Sequence, residues 1–261
     1  MTGGLTLTEC RLWPDRLSSI LMPMHTPSAR TKAEKLWDEM SRTFPPYPTG
    51  VVPVPERIHG TAFFPGGLGL WIDELGKTEP NIPEVMVVGQ DFNTLASYEI
   101  AQEKGSEVNS SQTWRNIEKV FPMLGLSLRN CYFTNFYMGL RERGPETGIF
   151  PGARDPKFVQ RSARFFERQL EVMRPKLIVT LGMAPLAAVG RHIFQVPIQR
   201  VLSKCVDVYR DLPAAHGSVA LVALTHPSLY FANVGRRRFQ DLVGLNAERA
   251  MVKSAADGIL S

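Results

Sequence analysis

Three side chains able to do acid–base and hydrogen-bonding chemistry each follow a short apolar run. A carboxylate, Asp91, stands in Gly89-Gln90-Asp91-Phe92-Asn93-Thr94 after the run at 84–88 (EVMVV). An amide, Asn135, follows the run at 130–134 (NCYFT), and an imidazole, His226, follows 219–224 (VALVAL) in Thr225-His226-Pro227-Ser228. A fourth run, 177–181 (LIVTL), ends at Gly182. Taken singly, Asp91, Asn135 and Ser228 suit turns and caps, and His226 before a proline suits an ordinary loop. Three polar groups of different chemistry at three of the four strand ends point instead to one binding or catalytic rim.

None of the four runs alternates polar with apolar residues, so each suits a strand covered on both faces, as in a parallel sheet. Helical spacing fills the intervals at 113–124, 157–173 and 183–194, and again at 234–252 after the last run. The order predicts a three-layer α/β/α fold with a central, mainly parallel four-stranded sheet. Ligands of such sheets bind outside the carboxyl ends of the strands, which is where the three groups lie. Residues 198–209 suit a small added hairpin. Ahead of this domain, placed at 84–261, residues 1–83 read as an N-terminal extension packed on it. It holds a helix over 28–44 with Ser28 as N-cap, stopped by Pro45, Pro46 and Pro48. A Pro/Gly-rich loop at 53–69 and a turn of helix at 71–75 follow.

A chain of 261 residues, 44% hydrophobic, can bury a full core. No apolar run is long enough to cross a membrane. The opening MTGGLTLTEC lacks a basic segment followed by an apolar core, so a cytoplasmic protein is expected. Cys10, Cys131 and Cys205 lie far apart and do not suggest a disulfide framework, a zinc site or a cluster. The net charge of +5 is uneven: residues 1–83 hold 8 Lys/Arg against 9 Asp/Glu, so the excess lies in the rest. Basic residues gather around Arg129, Arg141, Arg143, Arg154, Lys157, Arg161, Arg164 and Arg168, and at Arg236, Arg237 and Arg238. A polyanion partner accounts for this, and so does a solvated basic surface.

The motifs also resemble a known family. Gly89-Gln90-Asp91 after a strand is similar to the water-activating motif of the uracil-DNA glycosylase superfamily. His226-Pro227-Ser228 is similar to that superfamily's second motif, and Asn135 falls where the family places its base-reading asparagine. Pro175 to Gly182 resembles its third strand, and the likeness spans roughly 84–250. It implies a DNA glycosylase that hydrolyses the N-glycosidic bond of a flipped uracil or related damaged base, without metal or other cofactor. Asp91 would then orient water and stabilise the sugar cation, and His226 would donate to the departing base's carbonyl oxygen, helped by backbone amides near Gln90. Asn135 would read the base edge, with Gly89, Gln90, Phe92 and Asn93 completing the base site. Ser228, Arg236, Arg237 and Arg238 would hold phosphates, and Leu229 or Tyr230 would fill the gap left by the base. The implied partner is single- or double-stranded DNA, bound by a monomer.

Departures from the family pattern bear on the substrate. Its best-known branch continues Gly-Gln-Asp with Pro-Tyr-His, where this chain has Phe92-Asn93-Thr94. The tyrosine helps exclude thymine, so strict uracil specificity does not carry over. Phe92 is the nearest candidate for the aromatic that stacks on the base, with Phe136 and Trp114 further off; all three also suit the core. Two alternatives stay open: a glycosylase-like module that binds DNA or a base without cutting, and another kind of nucleotide-binding enzyme. The absence of a GxGxxG or GxxxxGK[ST] loop after the first strand speaks against the latter.

Overall fold

The computed structural model describes residues 27–72, 80–198 and 208–257. Within them the first helix, α1 (Ala29–Thr43), begins as its sequence predicts: Ser28 Oγ accepts the Thr31 N–H at 3.2 Å. Its buried residues Ala29, Ala33, Leu36 and Met40 recur every three or four positions, which puts them on one stripe. Phe44, next in line, packs edge-on against Phe165 with ring centroids 5.5 Å apart. The expected helical turn at 71–75 lies largely outside the described residues, as do Cys10 and Cys205.

The central sheet contains β2 (Val85–Gly89), β3 (Cys131–Asn135), β5 (Leu177–Leu181), β6 (Val208–Ala214) and β7 (Gly217–Leu224), in the order β3-β2-β5-β7-β6. The four expected strands are all present and mutually parallel. The sheet nevertheless has five strands, not four, because β6 adds an antiparallel edge to β7. Most of β6 is not buried, so no apolar run announces it. The predicted hairpin at 198–209 falls mainly outside the described residues. Two short pairs lie apart from this sheet: β1 (Val51–Val52) with β4 (Leu140–Arg141), and β8 (Arg238–Phe239) with β9 (Leu242–Val243).

Every residue of β2, β3 and β5 is buried, which explains their unbroken apolar character. Successive side chains serve opposite faces: Met86 and Val88 join a core with α1 and α4 (Pro156–Met173), while Val85 and Val87 join one with α3 (Gln112–Met123) and α7 (Leu245–Ala256). Helices thus cover both faces, giving the three layers. Residues Phe64 and Leu70 bridge to Thr134 and Tyr132 of β3, so the Pro/Gly-rich stretch lines the edge of the sheet. Two helices, α2 (Leu95–Glu103) and α5 (Met183–Val189), complete the set with a single turn, α6 (Tyr230–Asn233). A π-helical turn, Gly190–Phe194, extends α5 over the rest of the predicted 183–194 segment.

The helix expected over 234–252 is broken. A 3₁₀ turn, Val234–Arg236, leads into the β8–β9 hairpin, and α7 starts only after Gly244. Gln240 (φ 52°) and Gly244 (φ 67°) both take left-handed backbone, which an α-helix does not allow.

Candidate active site

The carboxyl ends of β2, β3 and β7 open into one cavity of about 340 Å³. Gly89, Gln90, Asp91, Phe92, Asn93, Asn135, His226, Ser228 and Leu229 all line it. Neighbouring strands set this meeting: Gly89 pairs with Asn135 across β2 and β3, and Leu181 with Leu224 across β5 and β7. The absence of a side chain at Gly89 is required here, because a Cβ would lie 2.3 Å from Asn135 Oδ1. Asn135 is buried, lines the cavity and donates from Nδ2 to the Phe64 carbonyl at 3.0 Å, while its Oδ1 lies beside Gly89.

Asp91 is held by a partner that sequence reasoning placed on the surface. Arg141 Nε and Nη2 donate to Asp91 Oδ1 and Oδ2 at 3.0 and 2.9 Å, and the two side chains are only 4% and 5% exposed. Arg141 therefore does not belong to a solvated basic face. It sits in β4, pinned beside the motif by its own N–H, which donates to the Asn93 carbonyl at 2.8 Å. Oδ1 also accepts the Asn93 N–H at 3.1 Å, an Asx turn that asparagine at φ 97° tolerates. Burial raises the Asp91 carboxyl above the ordinary aspartate value, opposed by the Arg141 guanidinium and the Asn93 amide. The rest of the Arg141 fork donates to a returning loop, to Gly148 O at 2.9 Å and Thr147 O at 3.3 Å. Glu146, Thr147 and Gly148 of that loop form one wall of the cavity.

His226 stands at the cavity mouth, partly open to solvent. Its Nδ1 accepts the Ser228 N–H at 3.2 Å and lies 2.8 Å from Ser228 Oγ. With Nδ1 an acceptor, the neutral ring carries its proton on Nε2. Desolvation by the protein around the ring lowers its pKa, which favours that neutral form. Ser228, expected on phosphates, is turned inward to His226. The segment is fixed from behind: Asn116 Nδ2 donates to Pro227 O at 2.6 Å, and the Thr225 N–H donates to the buried Glu248 Oε1 at 2.6 Å.

Two expected DNA contacts are corrected by burial. Arg237 is buried, donates to the Ala223 carbonyl and lies 3.7 Å from Glu248; it braces the end of β7 and does not face a phosphate. Tyr230 is buried too, and cannot serve as a wedge. Leu229 and Phe231 are the exposed apolar residues at this rim, at 58% and 66%. Arg236 and Arg238 remain on the surface.

Among the cavity residues that escaped the sequence reading are Phe63 and Glu107, besides the 146–148 wall. Phe63 and Phe92 are the aromatic side chains on the cavity wall, whereas Phe136 and Trp114 are wholly buried. The Phe92 ring lies against Gly66, where a Cβ would come within 2.0 Å of it. Phe63 precedes β2 by some twenty residues, in a stretch read as loop, so no local signal marked it.

The family model of the uracil DNA glycosylase superfamily matches residues 76–248. No curated protein matches the chain.

Proposed function

The chain belongs to the uracil DNA glycosylase superfamily, whose model spans more than half of it, and on that premise we propose that it excises a uracil or related damaged base from DNA. The observation that carries the proposal is one cavity lined by a charge-paired carboxylate, a buried amide and an imidazole whose Nδ1 is an acceptor. In this reading the extruded base enters between Phe63 and Phe92, and Asn135 accepts an N–H from its edge. His226 Nε2–H donates to the base carbonyl oxygen. As the C1′–N bond breaks, its electron pair leaves with the base, and the negative charge grows on the oxygen that His226 holds. Asp91 offsets the positive charge left on the sugar. Water adds to C1′ and loses a proton to the carboxylate.

Lone-pair counting locates that water. An ionised carboxylate accepts about four hydrogen bonds, and Asp91 already takes three: two on Oδ1 and one on Oδ2. The remaining position is on Oδ2. Among the described residues none of the cavity-lining side chains is a lysine, which favours direct hydrolysis over attack by an amine. Leu229 and Phe231 would fill the gap left in the stack, and Arg236 and Arg238 would meet phosphates.

A second reading, a domain that holds DNA or a base without cutting, is favoured by one observation: both oxygens of Asp91 are engaged by Arg141. Release of base from labelled oligonucleotides, read as alkali-labile abasic sites and controlled with Asp91→Asn, separates the two. Cleavage lost in the control supports the hydrolase; intact DNA binding without cleavage of any lesion supports the binding module.

A further inference from the structure

Glu107 lies in the loop between α2 and α3, away from all three strand-end motifs, yet its side chain forms part of the same cavity wall as Asn135 and His226. Its place is fixed at both ends. The backbone N–H donates to Thr61 O at 3.1 Å, while the carbonyl accepts from Ser110 N and Ser111 N at 3.1 and 2.9 Å. The carboxyl accepts the Phe63 N–H on Oε2 at 2.8 Å and also has the Trp114 indole as a donor. These two donors take two of the roughly four positions that an ionised carboxylate offers, and the others are left for whatever occupies the cavity. The ring of Phe63, the residue that orients this carboxyl, is itself cavity wall.

The hydrolytic steps leave this group without a task. Asp91 supplies the carboxylate for water and sugar, and His226 the donor for the departing oxygen. An ionised carboxylate beside a bound base, with positions to spare, is a hydrogen-bond acceptor for that base. Asn135 spends one of its two Nδ2 hydrogens on Phe64, and its Oδ1 is a second acceptor. Two acceptors on one wall are mismatched to a base with one N–H, since the second would be desolvated without a partner. They match a base that presents N–H groups at two places.

We propose that Glu107 is a base-reading residue that accepts an N–H from the edge Asn135 does not reach, so that the cavity prefers bases with more than one N–H donor, oxidised purines among them. This rests on the reading that an extruded base occupies the cavity. Burial pushes the carboxyl up to about 7, against the Phe63 amide and the Trp114 indole, which favour the charged form. An N–H brought to the carboxyl by a bound base adds to the latter pair. A carboxyl serving only to cap the Phe63 amide would need no such ligand.

The test separates recognition from cleavage. Binding is measured by fluorescence anisotropy with the full chain carrying Asp91→Asn, alone or with Glu107→Gln. The probes are single-stranded oligonucleotides identical except for one base: uracil or hypoxanthine, each with one ring N–H, or guanine or 8-oxoguanine, with several donors. Glutamine still offers an oxygen to the Phe63 N–H but replaces the carboxylate's other oxygen with a donor. Tighter binding of the donor-rich bases than of size-matched hypoxanthine is expected, and Glu107→Gln should cut that preference roughly 10- to 100-fold. Hypoxanthine and uracil should change little. Equal weakening for every base, no change, or no initial preference would overturn the proposal. Should Glu107→Gln melt early, Glu107→Leu, matched in bulk and lacking both oxygens, is held to the same standard of selective loss. Wild-type cleavage of the same oligonucleotides is scored in parallel: base-selective binding without cleavage overturns the hydrolase reading alone, and cleavage indifferent to Glu107 overturns this proposal alone.

Discussion

Both oxygens of Asp91 face the Arg141 fork in a part of the molecule where neither side chain keeps more than 5% of its surface. Removing one member of such a pair leaves a buried charge uncompensated, at a cost of about 3–5 kcal/mol. For Asp91 the cost is expressed through its proton. Burial already raises the carboxyl, and the guanidinium is the main force against it. Arg141→Met should therefore raise the Asp91 pKa further, so the charged form survives only at higher pH. In a pH profile of single-turnover base release, the acid limb should move upward, with the loss larger at pH 6 than at pH 9. An unmoved limb would show that Arg141 only braces the loop. Glu107 carries a second pH effect, on stability. Its folded-state value of about 7 lies above the ordinary glutamate range, so between that range and pH 7 the folded protein holds a proton the unfolded chain has released. Stability attributable to this group falls as pH rises through that window and is flat above it. Glu107→Gln abolishes the fall. Relative to wild type the variant should gain at most roughly 3 kcal/mol between pH 4.5 and pH 8, measured by urea unfolding; parallel curves would contradict the assignment.

At the scale of elements, the strands were the most legible part, for a physical reason. β2, β3, β5 and β7 are covered by helices, and two-sided burial writes itself as an unbroken apolar run. The same rule hides β6, whose exposure leaves no run, and α2, whose nine residues bury only Tyr98 and Ala101. The segment 234–252 misled because helical spacing is blind to Gln240 and Gly244, whose backbone angles end a helix. Asp91, Asn135 and His226 were legible because each follows a strand directly. Arg141, Phe63 and Glu107 come from a two-residue strand and loops, placed by tertiary contacts that leave no local pattern. The turn after β7 shows both outcomes: Leu229 is exposed as a wedge should be, but Tyr230 turns inward and Phe231 takes the outer position. Changing Leu229 and Phe231 together to Ala should lower base release from duplex DNA about tenfold or more, because unstacking costs a few kcal/mol. Release from single strands, where that cost is small, should barely change. Equal losses on both substrates would place these residues in catalysis or folding instead.

For the molecule as a whole, formal charge overstates the surface available to DNA. Of the basic residues grouped from sequence, Arg141 and Arg237 are buried against Asp91 and Glu248, which removes them from any phosphate-binding face. Arg236 and Arg238 remain beside the rim that carries Leu229 and Phe231. Arg236→Ser with Arg238→Ser should weaken DNA binding alike for all sequences and reduce the slope of log K against log salt by about two. A sequence-selective loss would contradict a phosphate role. The central claim joins all three scales: strand ends bring a carboxylate, an amide and an imidazole to one cavity so that a base can be cut from DNA. Its most direct test is base release from single- and double-stranded oligonucleotides carrying uracil, hypoxanthine or 8-oxoguanine, by wild type and by Asp91→Asn. Cleavage of at least one lesion that falls at least a hundredfold in the variant, with DNA affinity unchanged, is predicted. Cleavage at the wild-type rate by Asp91→Asn, or none by wild type despite firm binding, would contradict it.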